Sequence, residues 1–183
     1  MELVEQARAG DRQAFRTLVD RYEDSIAATV VGMLGPSAEV DDVVQEVFIQ
    51  FYRSMDRFRG DSKVSTYLRR IAINRSLDVL RRRKRMLARF LSRDDEQHPI
   101  HEPSRDARHD ADQDEQTALV RRAIGQLPPK HRAVVLLRMI EGYSTEETAQ
   151  ILDIAYGTVL SRLSRAQDKL KALLTPFFQG QGG

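Results

Sequence analysis

Apolar residues return along this chain at steps of three and four, the period at which one face of an α-helix is buried. Phe15, Leu18, Val19, Tyr22, Ile26, Val30, Met33 and Leu34 form the first such stripe, behind an N-cap candidate at Asp11. Gly35-Pro36 breaks the period. Ser37 can open the next helix, whose stripe runs Val40, Val43, Val44, Val47, Phe48, Phe51, Met55. The pair predicts a helical hairpin. A loop over 59–63 follows, and then Val64, Tyr67, Leu68, Ile71, Ile73, Leu77 and Leu80 predict a third long helix whose far end is the basic run Arg81 to Arg85.

From Ser92 to Glu115 the period is lost, and the segment is dense in Asp, Glu and His, which predicts a disordered linker. The period then returns. One helix passes through Leu119, Ala123, Ile124 and Leu127; Pro128-Pro129 resets the chain for another through Val134, Leu137 and Ile140, which Gly142 stops. Ser144-Thr145-Glu146-Glu147 has the spacing of a capping box and opens a short helix to Leu152. Asp153-Ile154-Ala155 turns the chain into a longer helix carrying Val159, Leu163, Ala166, Leu170 and Leu173 on one face. Short helix, tight turn and long helix predict a helix-turn-helix. The fold class expected is all-α: a domain over 1–90, a flexible acidic linker over 91–116, a second domain over 117–178 and a disordered tail over 179–183.

Composition agrees, with 41% hydrophobic but only 7% aromatic residues in 183, enough for modest helical cores and poor in strand formers. There is no cysteine, which excludes disulfides and thiolate metal sites and fits a reducing compartment, the cytoplasm by expectation. The opening MELVEQARAGD does not read as a signal peptide, and no apolar run approaches the roughly 18 residues of a membrane span, so no membrane insertion is expected.

Net charge, +2 overall, hides a division. Residues 1–90 carry 17 basic and 13 acidic side chains, 91–116 carry 3 and 9, and 117–183 carry 9 and 5. Two basic modules on an acidic tether suit a polyanion.

Three surfaces carry candidate chemistry. On the last helix Thr158, Ser161, Arg162, Arg165 and Lys169 stand away from the apolar stripe, types that bond phosphates and base edges in a major groove. A solvated bundle face is the plainer alternative. Around the first-block loop Phe58, Tyr67 and Asn74 lie amid Arg57, Arg59, Lys63, Arg69, Arg70, Arg75 and the Arg81 run, a mixture suited to unstacked single-stranded bases. Against it, Phe58 and Tyr67 could be core residues. On the second helix Asp41, Asp42, Gln45, Glu46, Ile49 and Arg53 lie opposite the stripe, an acidic face with an exposed isoleucine that suits a protein contact or simple solvation. His98, His101 and His109, with Glu102 and Asp110, read as polar residues of the linker rather than a metal site. His131 is alone at a helix start. There is no Gly-rich phosphate loop and no nucleophile-base grouping, so no enzyme, cofactor or small-molecule substrate is expected.

At Val40-Asp41-Asp42-Val43-Val44-Gln45-Glu46-Val47-Phe48, then Asp56 to Ser62, then Tyr67 to Asn74, the chain closely resembles bacterial RNA polymerase sigma factors of the extracytoplasmic-function (ECF) group. Leu127-Pro128-Pro129-Lys130-His131-Arg132 and Gly157-Thr158-Val159 with Ser161 to Ala166 resemble that family's region 4. The resemblance implies a dissociable specificity subunit of core RNA polymerase. Asp41, Asp42, Gln45, Glu46, Ile49 and Arg53 would grip the clamp helices of the largest subunit. Phe58, Arg59, Asp61, Ser62, Lys63, Tyr67, Arg70, Asn74, Arg75, Asp78, Arg81 and Arg82 would take the melted minus-10 strand. Thr158, Leu160, Ser161, Arg162, Arg165 and Lys169 would read the minus-35 duplex. An anti-sigma factor is implied as a further partner. Tyr67 stands where the family usually has Trp, Ala155-Tyr156 replaces its usual Pro and polar residue, and Leu160 stands where Lys or Arg is common. The competing class is a helix-turn-helix regulator that binds duplex DNA without polymerase, which leaves 38–75 unexplained. A scaffold without DNA binding sits poorly with two basic blocks.

Overall fold

The computed structural model describes residues 2–58, 63–91 and 111–178, and the chain divides into two compact units with the boundary between Arg82 and Arg83. Among the described residues every regular element is helical.

The first unit opens with a helix that the apolar pattern did not announce, α1 (Glu2–Arg8), which buries only Val4 and Ala7 against α2 (Arg12–Leu34). Asp11 caps α2 by accepting from the Gln13 and Ala14 amides at 2.8 and 3.2 Å, as expected. At the other end Gly35 takes φ 73° and donates to the Val31 carbonyl, a conformation open to glycine at little cost. Helix α3 (Glu39–Ser54) starts two residues after the expected opener Ser37 and has no side-chain cap. Its first turn carries Glu39, Asp41 and Asp42 instead, whose charges favour the positive end of the helix dipole.

The expected stripes of α2 and α3 are the core: Leu18, Ile26, Val30 and Met33 from one, and Val43, Val44, Val47, Phe48 and Phe51 from the other, are buried. A single 3-10 turn (Met55–Arg57) follows α3. Arg8 fastens α1 to it, donating to the Met55 carbonyl through Nε at 3.2 Å and Nη2 at 2.9 Å and to the Phe58 carbonyl at 2.6 Å, while Glu5 holds its other nitrogen. Helix α4 (Val64–Leu91) runs one long course straight through the basic run rather than ending in it. Arg, Lys, Leu, Met and Ala, which fill most of its last three turns, are all strong helix formers.

In the second unit, helical structure after α4 resumes earlier than the loss of periodicity implied. Helix α5 (Ala111–Gly125) takes its first residues from the stretch assigned to the linker; residues 92–110, with His98, His101 and His109, and the tail 179–183 lie outside the described residues. Helix α6 (Pro129–Val135) follows the extended Pro128, as the Pro-Pro pair predicted. It then widens into a π turn (Leu136–Ile140), where the Glu141 amide reaches back to Leu136. That extra residue shifts the register, so Ile140, expected inside, is 58% exposed beside an exposed Met139. Gly142 at φ 74° closes the segment.

Helix α7 (Thr145–Leu152) carries the capping box in full, with the Glu147 amide on Ser144 Oγ at 3.1 Å and the Ser144 amide on Glu147 Oε2 at 2.9 Å. Asp153, left-handed at φ 54°, turns the chain, and α8 (Tyr156–Phe178) completes the helix-turn-helix. Ile124, Leu127, Val135 and Ala166 form a core on which Leu163 and Leu170 pack. Arg132 is buried in this unit; its guanidinium donates to the Gly125 and Leu127 carbonyls where α5 ends.

Candidate nucleic-acid and protein interfaces

The face of α3 opposite the core keeps every residue assigned to it together. Asp41, Asp42, Gln45, Glu46, Ile49 and Arg53 are exposed, Ile49 to 44%. The pattern had not included two features of this surface. Tyr52 is exposed as well, its ring edge-on to Phe15 of α2 at 5.0 Å. Between the two helices runs an open groove of about 1080 Å³, floored by Phe15, Val19, Val44 and Phe48 and edged by Asp41 and Arg53. Phe15 and Val19 sit at the margin of the α2 stripe and are only half-buried.

Around the start of α4 the structure separates residues that composition had grouped. Phe58 is buried at 6%, its ring packed against Phe51 at 6.2 Å and Tyr67 at 5.3 Å. As a stacking platform for a base it is corrected to a core residue, because a platform needs an open ring face for the base to lie on and this ring is enclosed. Tyr67 is half-buried on the same cluster and donates its hydroxyl to Ser54 Oγ at 3.1 Å. Arg59, Asp61 and Ser62 lie outside the described residues, and Lys63, next to them, is exposed.

Along α4, Arg70, Asn74, Asp78 and Arg81 are exposed at steps of four, four and three, which aligns them on one side of the helix; Arg82 flanks them. Arg81 lies 3.4 Å from Asp78 through Nη2. Arg75 turns away from that line: its Nε donates to Gln50 Oε1 at 2.8 Å and lies 4.0 Å from Glu46. One arginine thus joins the acidic helix to the basic one.

On α8 a basic flank forms from Arg162, Arg165 and Lys169, with Thr158 one turn before them and Ser161 bonding back to the Thr158 carbonyl at 3.1 Å. His131 of α6 belongs to this flank, a member the sequence showed only as a solitary histidine. Burial pushes its imidazolium pKa down, and the charges of Arg162, Arg165 and Lys169 push it further the same way. Leu160 does not join them. At about 100° per residue it falls on the far flank, near the exposed Tyr156, so a duplex on α8 would meet it along a different wall of the groove.

Among the described residues no cluster of His, Asp and Glu is placed to hold a metal ion, and no helix is long and apolar enough to cross a membrane.

Comparison with known proteins covers both units. Residues 18–86 match the Sigma-70 region 2 family and residues 117–170 match Sigma-70, region 4. The chain is 36% identical to the RNA polymerase sigma-H factor of Pseudomonas aeruginosa over 97% of its own length and 95% of that protein's. It is 35% identical to the ECF RNA polymerase sigma-E factor of Escherichia coli K12 with the same two coverages. Among solved structures, CnrH in complex with the cytosolic domain of CnrY superposes with a TM-score of 0.69 at 29% identity, over 95% of this chain and 96% of that one. The fold also matches the sigma factor RpoE of Bartonella quintana, solved in complex with the anti-sigma factor NepR, with a TM-score of 0.66 at 24% identity over 88% and 96%. With near-complete relatives at this level of identity and both sigma regions matched in order, the chain belongs to the ECF RNA polymerase sigma factors.

Proposed function

We propose that the first unit docks on core RNA polymerase through the acidic face of α3 and the groove beside it, and that α4 and α8 take the two promoter elements. The observation that carries this reading is that all six of Asp41, Asp42, Gln45, Glu46, Ile49 and Arg53 are exposed on one helix face, outside the core. An isoleucine and a tyrosine kept in water among acids are costly for a solvated face and useful for one that will be covered.

Sigma factors are transcription initiation factors rather than enzymes, and in this reading recognition rather than catalysis is the work of each surface. Residues 1–90 and 117–178 act as the polymerase-and-minus-10 module and the minus-35 module, with 91–116 between them. Lys63, Tyr67, Arg70, Asn74, Asp78, Arg81 and Arg82 face the melted strand, and Arg59, Asp61 and Ser62 belong to the same assignment. Arg75, bound to Gln50 and close to Glu46, couples the polymerase face to the DNA face. Thr158, Ser161, Arg162, Arg165 and Lys169 read the minus-35 duplex, with Leu160 against the opposite wall. An anti-sigma factor is the further partner, supported by the complex known for a protein of the same fold. The compartment in which such a chain acts is the cytoplasm.

The test is co-elution of the purified chain with sigma-free core polymerase. Stoichiometric co-elution, abolished by Asp42→Arg with helical circular dichroism unchanged, is the expected result. Failure of the folded wild-type chain to co-elute, or retention by the variant, overturns the assignment of this face.

A further inference from the structure

Helix α1 adds little to the core, burying only Val4 and Ala7, yet its end is held firmly. The Asp11 amide donates to the Gln6 carbonyl at 3.0 Å and the Gly10 amide to the Ala7 carbonyl at 3.1 Å, with Gly10 at φ 96°, the pairing of a Schellman motif. Arg8, the last residue of α1, therefore projects from a fixed base. Its Nε and Nη2 meet the Met55 carbonyl, Nη2 also meets the Phe58 carbonyl, and Nη1 is held by the Glu5 carboxylate at 3.0 and 2.9 Å. Every guanidinium nitrogen is engaged, so Arg8 works within the fold and not on an outside anion. Met55 and Phe58 are the two ends of the 3-10 turn, which closes on the Phe58 amide and the Met55 carbonyl at 3.1 Å. Such a turn has poorer hydrogen-bond geometry than an α-helix, and here one rigid plane bridges both its ends. What the turn positions is the Phe58 ring, which is buried and lies 5.3 Å from the ring of Tyr67. Tyr67 is thus backed by that ring and held at its hydroxyl by Ser54 Oγ, while it remains only half-buried.

We propose that Arg8 is a positioning residue for the melted strand, setting the stance of Tyr67 through the Met55–Arg57 turn and the Phe58 ring. The inference rests on the assignment of Tyr67 to that strand. A base that stacks on a ring needs the ring in one place, and apparent affinity falls with the fraction of molecules that hold it there. Without the guanidinium the turn loses the donors that tie both its ends to α1, and the Phe58–Tyr67 pair is free to take several stances. Lysine at this position keeps the charge without the planar fork that spans the two carbonyls. Arg8 itself touches no nucleic acid in this scheme.

The experiment uses holoenzyme reconstituted with the wild-type chain, Arg8→Ala, Arg8→Lys, Tyr67→Leu, or Arg8→Ala and Tyr67→Leu together. The probe is a single-stranded oligonucleotide carrying the minus-10 region of a promoter that the wild-type holoenzyme opens. Arg8→Ala is expected to weaken its binding about tenfold, which corresponds to a competent fraction near one tenth, while co-elution with core polymerase and helical circular dichroism stay as in the wild type. Arg8→Lys should fail to restore the affinity. Tyr67→Leu should weaken the oligonucleotide on its own, and in that background Arg8→Ala should add less than about twofold, because the two act through one ring. An unchanged affinity for Arg8→Ala, full rescue by lysine, or a tenfold loss on top of Tyr67→Leu overturns the proposal. A parallel loss of co-elution overturns it too, since general loosening of the first unit produces both. If Tyr67→Leu binds as tightly as the wild type, the assignment of Tyr67 to the strand is what fails, and the proposal falls with it.

Discussion

Each unit ends a helix with an arginine, and the two do it under different conditions. Arg8 works at the surface: Glu5 shares its charge, and its remaining nitrogens reach the carbonyls of Met55 and Phe58 across a long stretch of sequence. Arg132 works inside, 8% exposed, closing on Gly125 and Leu127 only a few residues back. The first is a tether between elements distant in the chain, and the second is a local splint for the turn from α5 to α6. A guanidinium suits both tasks because its planar fork satisfies two carbonyls at once. Burial makes the second harder to replace, since water does not readily take over the buried bond to the Leu127 carbonyl that Arg132 leaves behind.

The aromatic residues divide in the same way. Phe58 is enclosed with Phe51 and Tyr67, whereas Tyr52 and Tyr156 are held in water. The sharpest way to break that division is Phe58→Ala. Deletion of a buried Phe costs about 3–5 kcal/mol, so the first unit should unfold at markedly lower denaturant while the helix-turn-helix unit keeps its midpoint. An unchanged first transition with weakened single-strand binding would return Phe58 to the DNA surface.

Next in size is the pair of arginines. Arg132→Ala should destabilise the second unit by about 2–3 kcal/mol, because the buried Leu127 carbonyl and the part-buried Gly125 carbonyl lose a charged donor and the stem leaves a gap. Arg8→Ala should cost the first unit about 1 kcal/mol, since its site is open to water and its Glu5 pair is a surface pair of small worth. Chemical denaturation followed separately in each unit measures both. Equal costs would mean that burial does not set the difference.

Much of this architecture is written in the sequence, and the parts that are not have physical reasons. The α2 and α3 stripes, the Asp11 cap, the Ser144/Glu147 box and the helix-turn-helix are legible because each is a local pattern repeated over enough residues to stand out. Helix α1 is hidden because seven residues bury only Val4 and Ala7, too few for a period. The π turn is hidden because its composition, LLRMI, differs in nothing from an ordinary helix; only the packing reveals that Ile140 faces out. Aromatic residue type could not say which side of the chain Phe58 would take. His131 is invisible as a member of the α8 flank because its neighbours there, Arg162, Arg165 and Lys169, come from a helix that follows α6 only after α7, and only tertiary packing of α6 on α8 joins them.

That flank supplies the smallest and most specific prediction. Burial and the three α8 cations hold the His131 pKa below its ordinary 6.5, so between that lowered value and 6.5 the unfolded chain binds more protons than the folded one. Folding stability of the second unit must then rise with pH through that window and fall as the solution is acidified below pH 6.5. His131→Gln, which cannot take the proton, should remove this component and leave a flatter profile between about pH 5 and 7 than the wild type. A DNA phosphate brought to the same flank acts in the opposite sense. It screens Arg162, Arg165 and Lys169 and favours the imidazolium, so binding of a minus-35 duplex should take up protons in the wild type and not in the variant. Duplex affinity measured from pH 7.5 down to 6 at fixed salt should therefore increase more steeply for His131 than for Gln. Parallel profiles would show that His131 lies off the DNA-binding flank and would leave α8 as its sole basic element.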